Sequence, residues 1–189
     1  MDPKVWGPCA WWTLHTCAAK TALSGKRDDL GVFWDMMQSL QCLLPCEVCR
    51  EHLKAHLAQL RRPRSASGAA GWVYRLHNAV NETVASDGYQ PKRADILALY
   101  AKPCNVNAGQ ADLVAKAAPF LAAITPRPAD ADCTEAMEAF VRGLGHFFDV
   151  RGPVPAGVYK TNAAFKRWLG VKNIHIASCS GTCTQKGGC

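Results

Sequence analysis

Apolar side chains recur at helical spacing along most of this chain, and no run of residues alternates in the manner of a β-strand. Residues 28–43 show the pattern clearly, because their apolar positions follow i, i+3, i+4 and i+7 and would form one buried stripe. Pro45 interrupts this stripe and can open a following helix, since proline is tolerated in a first turn. The pattern therefore predicts an all-α fold, whose first helices cover about 8–23, 28–43, 45–60, 70–86 and 93–101.

The composition changes after Cys104, where an alanine-rich stretch begins. Further helices are predicted over about 111–124, 133–149 and 162–169, with a proline-containing linker between the first two. We predict three parts: a four-helix bundle with a short fifth helix (1–104), a helical extension (105–175) and a small, polar, cysteine-containing tail (176–189). The extension is either a second helical unit or an appendage packed on the bundle.

Composition and charge exclude little by themselves. A hydrophobic content of 49% suits a folded protein, and a net charge of +7 selects no class of partner. Arg61, Arg62 and Arg64 have no aromatic residues between them, which favours a solvated loop over a nucleic-acid interface. No apolar stretch reaches the roughly 18 residues that a membrane span requires. We therefore expect neither nucleic acid nor membrane as a partner.

Ten cysteines are many for a chain whose first residues lack the basic and then apolar pattern of a signal peptide. In reducing compartments, such chains more often bind metal or perform redox chemistry than hold a passive disulfide framework. We expect a cytoplasmic protein. Cys9, Cys17 and Cys42 fall on predicted helices, where the default is a small buried apolar residue, and Cys133 has no assigned role.

Cys46-Glu47-Val48-Cys49 places two cysteines at the start of a predicted helix. Residues three apart lie on one helical face with Cβ atoms about 5–6 Å apart, which is close enough to bridge after a small adjustment. The partial positive charge of a helix N-terminus favours the thiolate form. The pair can therefore shuttle between dithiol and disulfide, although the spacing alone also allows metal binding.

A zinc site that adds His52 and His56 is the alternative for this pair. Those four ligands would spread along about 15 Å of one helix and could not converge as a tetrahedron. We therefore expect no metal site. The absence of a βαβ pattern around the cysteines also argues against a thioredoxin-type motif.

Two further clusters lie on other predicted helices. Trp11 and His15 are four residues apart and share a face, as do His77 and Asn81, with Asn78 on the adjoining arc. Each cluster alone is explained by core packing or by a polar helix shoulder. Together they would also suit the wall of a site for a planar aromatic ligand.

Three ordered motifs connect these clusters to the cysteine pair: Trp-Gly-x-x-x-Trp-x-x-Leu-His from Trp6, Pro-Cys-x-x-Cys from Pro45, and Trp-x-x-x-Leu-His-Asn-x-Val-Asn from Trp72. Over about Trp6 to Tyr100, roughly half of the chain, the sequence resembles the Erv/ALR family of FAD-dependent sulfhydryl oxidases. Each fragment is weak, but the ordered set is specific. The form without a targeting segment is similar to oxidases of large cytoplasmic DNA viruses, which would place it in the host cytoplasm or the virion.

The resemblance implies a four-helix bundle with a short fifth helix that binds FAD at its mouth, commonly as a homodimer. It also implies that Cys46 faces the incoming substrate thiol and Cys49 faces the flavin. Electrons would pass from the dithiol through this pair to FAD and then to O2, giving H2O2. The residues implied to contact the cofactor are Gly7, Pro8, Trp11, His15, Trp72, His77, Asn78, Val80, Asn81 and Tyr100.

The chain departs from the family pattern at two positions. Pro8 stands where the family often has arginine, and Ser86 stands where it often has lysine. The anionic part of the cofactor would then need another cation, for which Lys92, Arg93 and Lys102 are the candidates. Cys179-x-x-x-Cys183 resembles the flexible pairs that relay electrons from substrate to the core disulfide.

The predicted function is therefore an FAD-linked thiol oxidase that forms disulfide bonds in thiol-bearing substrate proteins, with O2 as the acceptor. The alternative is a non-enzymatic helical module, metal-bound or a scaffold, in which Cys46 and Cys49 are structural.

Overall fold

The computed structural model describes residues 2–84, 91–124, 133–150 and 162–170. Within these ranges every regular element is helical, which confirms the predicted all-α class. The Cys179–Cys183 motif and Ser86 lie outside the described residues. In chain order, after a 3₁₀ turn at Ala66–Gly68 is set aside, the helices are α1 (Pro3–Ser24), α2 (Arg27–Leu43), α3 (Glu47–Gln59), α4 (Ala69–Val84), α5 (Arg93–Tyr100), α6 (Pro103–Val106), α7 (Gln110–Ala123), α8 (Thr134–Phe148) and α9 (Asn162–Trp168).

Helix α1 begins five residues earlier than predicted. Asp2 caps it by accepting a hydrogen bond from the Lys4 backbone N–H at 2.9 Å, and Pro3 occupies the first turn. Pro8, which the prediction placed at the start, lies inside the helix. Gly25 ends the helix with a left-handed backbone (φ 67°), a conformation that suits glycine. The cap residues, which a search for apolar periodicity does not weigh, therefore set both ends.

The helices after residue 104 do not form a separate core. Helix α7 packs on α1, and α8 packs on α2. The apolar stripe of α8 includes Phe140 and Phe148, which are fully buried, as are Phe120 of α7 and Phe33 of α2. One continuous cluster of buried side chains includes all of them. The division at residue 104 stays a prediction, but the extension buries its apolar faces against the bundle.

The α2–α8 contact is close at Gly143. A Cβ atom built there would lie 2.8 Å from Met36 Sδ and 3.0 Å from Met36 Cβ, so the two helices approach where α8 has no side chain. Such an approach needs glycine, since interiors are packed without spare volume. Position 143 therefore determines how closely α8 lies on α2.

Lys20 joins α1 to two later parts of the chain. Its Nζ donates to the backbone carbonyls of Ala108 and Phe147, and it lies 5.0 Å from the centre of the Phe148 ring. Phe147 stands in the last turn of α8, where carbonyls lack helical partners and favour a cation. Burial lowers the pKa of Lys20. This one amine thus links the bundle to the end of α8.

Among the described helices, none is long and apolar enough to cross a membrane.

Candidate functional site

The two cysteines of the Cys-x-x-Cys motif are bonded to each other at the start of α3. Their Cα atoms are 5.1 Å apart. Cys46 is the N-cap residue, and its Sγ accepts a hydrogen bond from the Cys49 backbone N–H at 3.3 Å. The unpaired N–H groups of a helix N-terminus stabilise a thiolate there. The pair therefore sits where either sulfur is a good leaving group when the disulfide is attacked.

The turn that carries this disulfide is hydrogen-bonded to the end of α2 on one side and exposed to solvent on the other. The Arg50 guanidinium donates to the backbone carbonyl of Leu44 at 2.7 Å, which ties the first turn of α3 to the end of α2. Glu47 and Val48, the residues between the cysteines, are exposed, and Val48 is 60% exposed. A thiol on another macromolecule can therefore approach this turn from solvent.

Four aromatic side chains from three helices form a second feature, which we call the ring cluster: Trp11, His15, His77 and Tyr100. The His77 ring stacks on Trp11 with centroids 3.8 Å apart, and His15 stacks on Tyr100 at 4.5 Å. His15 Nε2 and His77 Nδ1 are hydrogen-bonded at 3.0 Å. The structure thus brings together four of the residues that the resemblance implied for cofactor binding.

Both histidines of the ring cluster are held neutral. Burial, and then the neighbouring His77, lowers the pKa of His15 to about 3, and burial lowers the pKa of His77 to about 4. A hydrogen bond between two imidazoles needs an N–H on one ring and a lone pair on the other, which two neutral rings supply. At neutral pH the cluster therefore presents uncharged, stackable rings with hydrogen-bonding edges.

Hydrogen bonds outside the ring cluster position Tyr100. The Tyr74 hydroxyl donates to the Pro91 carbonyl at 2.9 Å, just before α5 begins. At the other end of α5, Asn105 accepts from Trp12 Nε1 at 3.1 Å and donates to the Leu99 carbonyl at 3.0 Å. Helix α5 is thus fixed at both ends. Sequence reasoning missed Asn105, which is buried and which no motif marked.

Trp72 does not join the ring cluster. It is fully buried and makes edge contacts with Phe33 and Trp34 at centroid distances of 6.3 and 5.4 Å. Its indole Nε1 has no hydrogen-bond partner among the described residues. Arg62, predicted to be a solvated loop residue, is exposed but lies 5.5 Å from the centre of the Trp34 ring.

The remaining predicted cofactor residues are half-buried on two helices. Asn78, Val80 and Asn81 lie on α4, where Val80 packs against the core. Gly7 and Pro8 lie in the first turns of α1. A Cβ at Gly7 would meet no atom within 4 Å, so no contact of this chain requires glycine there. Their roles toward a cofactor stay predictions.

A second disulfide was not expected. Cys42, in the last turn of α2, is bonded to Cys133, the N-cap residue of α8, with Cα atoms 5.8 Å apart. Cys9 and Cys104 are also disulfide-bonded, whereas Cys17 is buried and free. The default assignment of Cys9 and Cys42 as plain buried thiols was therefore wrong. Connectivity among ten cysteines cannot be deduced from the sequence alone.

His52 and His56, considered above as zinc ligands, are half-buried on α3. His56 Nε2 lies 3.5 Å from Thr83 Oγ1 of α4. Within the described part of the chain, no three histidine, cysteine, aspartate or glutamate side chains gather in a metal-binding arrangement.

Two comparisons with known proteins found a match. The Erv1/Alr family model matches residues 8–97. This range includes three residues of the ring cluster (Trp11, His15 and His77), the Cys46–Cys49 disulfide and most of α5. The "Putative FAD-linked sulfhydryl oxidase 096R" of Invertebrate iridescent virus 3 is 31% identical over 84 residues, or 43% of this chain and 57% of that protein. The chain therefore spans little more than half of that relative. No solved structure matches.

Proposed function

We propose that this chain is an FAD-dependent sulfhydryl oxidase, of the type found in viruses, that forms disulfide bonds in substrate proteins, because residues 8–97 match the Erv1/Alr family model. The observation that carries the proposal is the Cys46–Cys49 disulfide at the N-terminus of α3, inside the matched segment. The reaction converts two thiols and O2 into a disulfide and H2O2.

The residues present fit a flavin nucleotide. The ring cluster offers neutral rings for stacking and imidazole nitrogens for hydrogen bonds to a heteroaromatic ligand. Trp11 and His77 already touch, so a planar ligand would lie on an outer face of this pair rather than between its rings. The buried Nε1 of Trp72, which has no partner within the described ranges, is a donor that a ligand acceptor would satisfy.

The pyrophosphate of such a ligand needs cations. Of the three candidates, Arg93 lies against α4, since its Nη2 is 2.8 Å from where a Cβ at Gly71 would stand. Lys92 and Lys102 are the exposed N-cap residues of α5 and α6. We assign Arg93 as the first of these to test.

The two cysteines divide the thiol chemistry between them. A substrate thiolate attacks Cys46 Sγ, the Cys46–Cys49 bond breaks, and Cys49 leaves as a thiolate that the helix N-terminus stabilises. A second substrate thiol then displaces Cys46 and leaves both cysteines reduced. We place Cys46 toward substrate because it is the N-cap residue beside exposed Glu47 and Val48. When bound, FAD would accept this electron pair and reduce O2 to H2O2.

The first experiment compares purified wild type with Cys46→Ser and Cys49→Ser. We expect yellow protein with a flavin absorbance band in all three, and oxygen consumption with dithiothreitol in the wild type alone. Cys17→Ala is the matched control, because Cys17 is the buried free thiol and should not affect turnover. Colourless protein would favour the non-enzymatic module, whereas turnover retained in both serine variants would refute the roles assigned to Cys46 and Cys49.

The homodimer remains a prediction of the proposal. Large apolar residues with high exposure are few in the described part of the chain, namely Val5, Leu23 and Val48. Light scattering on the eluted protein measures the mass directly, and a monomer at micromolar concentration would contradict this part of the proposal while leaving the chemistry intact.

The role of Cys179 and Cys183 is tested separately. If they relay electrons, removal of residues 178–189 slows turnover with a protein substrate and spares turnover with a small dithiol. Equal effects on both substrates would exclude the relay.

A cytoplasmic or virion location likewise remains part of the proposal.

A further inference from the structure

Cys42 of the Cys42–Cys133 disulfide lies four residues before Cys46 of the Cys46–Cys49 disulfide. Cys42 lies in the last turn of α2 and Cys46 is the N-cap residue of α3, so only residues 43–45 separate these two cysteines along the chain. We propose that Cys42–Cys133 is a second redox-active disulfide that exchanges directly with Cys46–Cys49. The proposal depends on the proposed oxidase function only for the final exit of the electrons.

The chain geometry permits contact between the two disulfides. Four residues span at most about 14 Å when fully extended, and here the path includes the end of a helix and a turn. Cys42, Cys46, Cys49 and Cys133 are all half-buried, at the boundary between core and solvent. The buried Cys17, by contrast, has no exposed surface. Cys42 is therefore close in sequence to Cys46 and Cys49, Cys133 is bonded to Cys42, and all four residues are partly accessible, as exchange requires.

Helix electrostatics set the direction of electron flow. Cys46 and Cys49 both lie in the first turn of α3, where the helix stabilises a thiolate. In the other pair, Cys133 is the N-cap residue of α8 and is stabilised as a thiolate in the same way. Cys42 lies at the C-terminal end of α2, where the helix carbonyls disfavour negative charge. A pair whose reduced form is stabilised is the stronger oxidant. Cys46–Cys49 therefore oxidises Cys42 and Cys133.

Helix packing favours the same direction. The contact between α2 and α8 keeps Cys42 and Cys133 together even when both are reduced, since the Gly143–Met36 approach and the buried phenylalanines do not depend on the disulfide. The bond therefore forms at a high effective concentration of its two thiols.

The exchange is balanced in two steps. The Cys42 thiolate attacks Cys46 Sγ, which forms a Cys42–Cys46 disulfide and releases Cys49 as a thiolate. The Cys133 thiolate then attacks Cys42 Sγ, which forms Cys42–Cys133 and releases Cys46. Two electrons pass from Cys42 and Cys133 to Cys46 and Cys49. The two protons that Cys42 and Cys133 lose are taken up through water by Cys46 and Cys49.

The first experiment traps the intermediate in full-length Cys133→Ser, which leaves Cys42 without its partner. After acid quenching and alkylation, cleavage at arginine, lysine and glutamate separates 28–47, with Cys42 and Cys46, from 48–50, with Cys49. Exchange leaves 48–50 free and alkylated on Cys49, with Cys42 bonded to Cys46. Without exchange, Cys42 is alkylated and 48–50 stays linked to 28–47, and this result would overturn the proposal.

The matched control is Cys42→Ser, which leaves Cys133 as the orphan thiol. Because the proposed attack comes from Cys42, fragment 48–50 should stay linked to 28–47 in this variant. Equal release of 48–50 from both variants would show unspecific scrambling and would also overturn the proposal.

A second experiment does not depend on how the single variants fold. Reduced wild type and reduced Cys46→Ser/Cys49→Ser are reoxidised without oxygen at about 0.1 mM oxidised glutathione, below the millimolar effective concentration of an intramolecular partner. We expect Cys42–Cys133 to form about tenfold faster in the wild type. Equal rates would contradict the exchange.

Both experiments are independent of oxygen and flavin. Exchange in a protein without oxidase activity would refute the proposed function alone. An active oxidase without exchange would refute this inference alone.

Discussion

His15 and His77 show how burial controls a single side chain's charge. Both are held neutral mainly because a charged ring in the cluster would lose its hydration, and a second positive ring 3.0 Å away would add repulsion. In the unfolded chain both would protonate near the ordinary value of 6.5. Acid therefore favours the unfolded state through these two residues.

We predict that the free energy of unfolding is fully retained above about pH 6.5 and falls as the pH drops toward 4, the folded pKa of His77, and then toward 3, that of His15. The slope is at most about 1.4 kcal/mol per pH unit for His15 and smaller for the partly exposed His77. His15→Gln should reduce the slope measured by urea unfolding at several pH values. His52→Gln, on α3, should not change it, and an unchanged slope in His15→Gln would contradict the prediction.

At this scale the sequence located much of the ring cluster through its ordered motifs. It could not separate Trp72 from the cluster, because helical spacing tells which face a residue shares but not which neighbour covers that face. Asn105 was missed for another reason. It acts through hydrogen bonds to Trp12, which is distant in the sequence, and to the backbone of Leu99, which no motif marks.

The α2–α8 pair shows what decides the packing of a helix. The apolar stripe of α8 was readable from the sequence, but its partner was not, because an amphipathic face fits any complementary one. The close approach of Gly143 to Met36 is specific to this pair. The same limit applies to α7, which packs on α1.

Gly143→Ala should therefore lower the free energy of unfolding by about 1–3 kcal/mol, because the new methyl group overlaps Met36. Gly145→Ala is the matched control, since its Cβ would make an ordinary 3.6 Å contact with Trp168 and alanine favours a helix. It should be neutral or stabilising by up to about 1 kcal/mol. Both are measured by urea unfolding.

A double-mutant cycle with Met36→Ala distinguishes overlap from other causes. If the methyl group at 143 collides with Met36, the two substitutions together cost less than the sum of their separate costs. Additive costs would show that the collision does not occur.

For the whole molecule, the Cys42–Cys133 disulfide closes a loop of 91 residues, which contains most of the Erv1/Alr-like segment after α2. Closing a long loop removes much of the conformational freedom of the unfolded chain. Cys46–Cys49 closes a loop of only three residues. The two bonds should therefore contribute very differently to stability, whatever their redox roles.

We predict that Cys42→Ser/Cys133→Ser lowers the free energy of unfolding by about 4–5 kcal/mol, and that Cys46→Ser/Cys49→Ser lowers it by about 2 kcal/mol or less. Urea unfolding under oxidising conditions measures both. Unfolding in excess dithiothreitol should remove the difference. A larger loss from the short-loop variant would contradict this account.

The long covalent loop also has a mechanical consequence. A force applied to the two ends of the chain would pass through α1 and α2, cross from Cys42 to Cys133, and continue into α8. This bond would bypass the direct path through residues 43–132, so much of that chain, about 300 Å if fully extended, would stay hidden from the measured extension. In an optical trap, Cys46–Cys49, His77 and Tyr100 would thus be shielded from the load until a reductant cut the bond. The length released by the reductant would then report how much of the chain the disulfide bonds had kept out of the load.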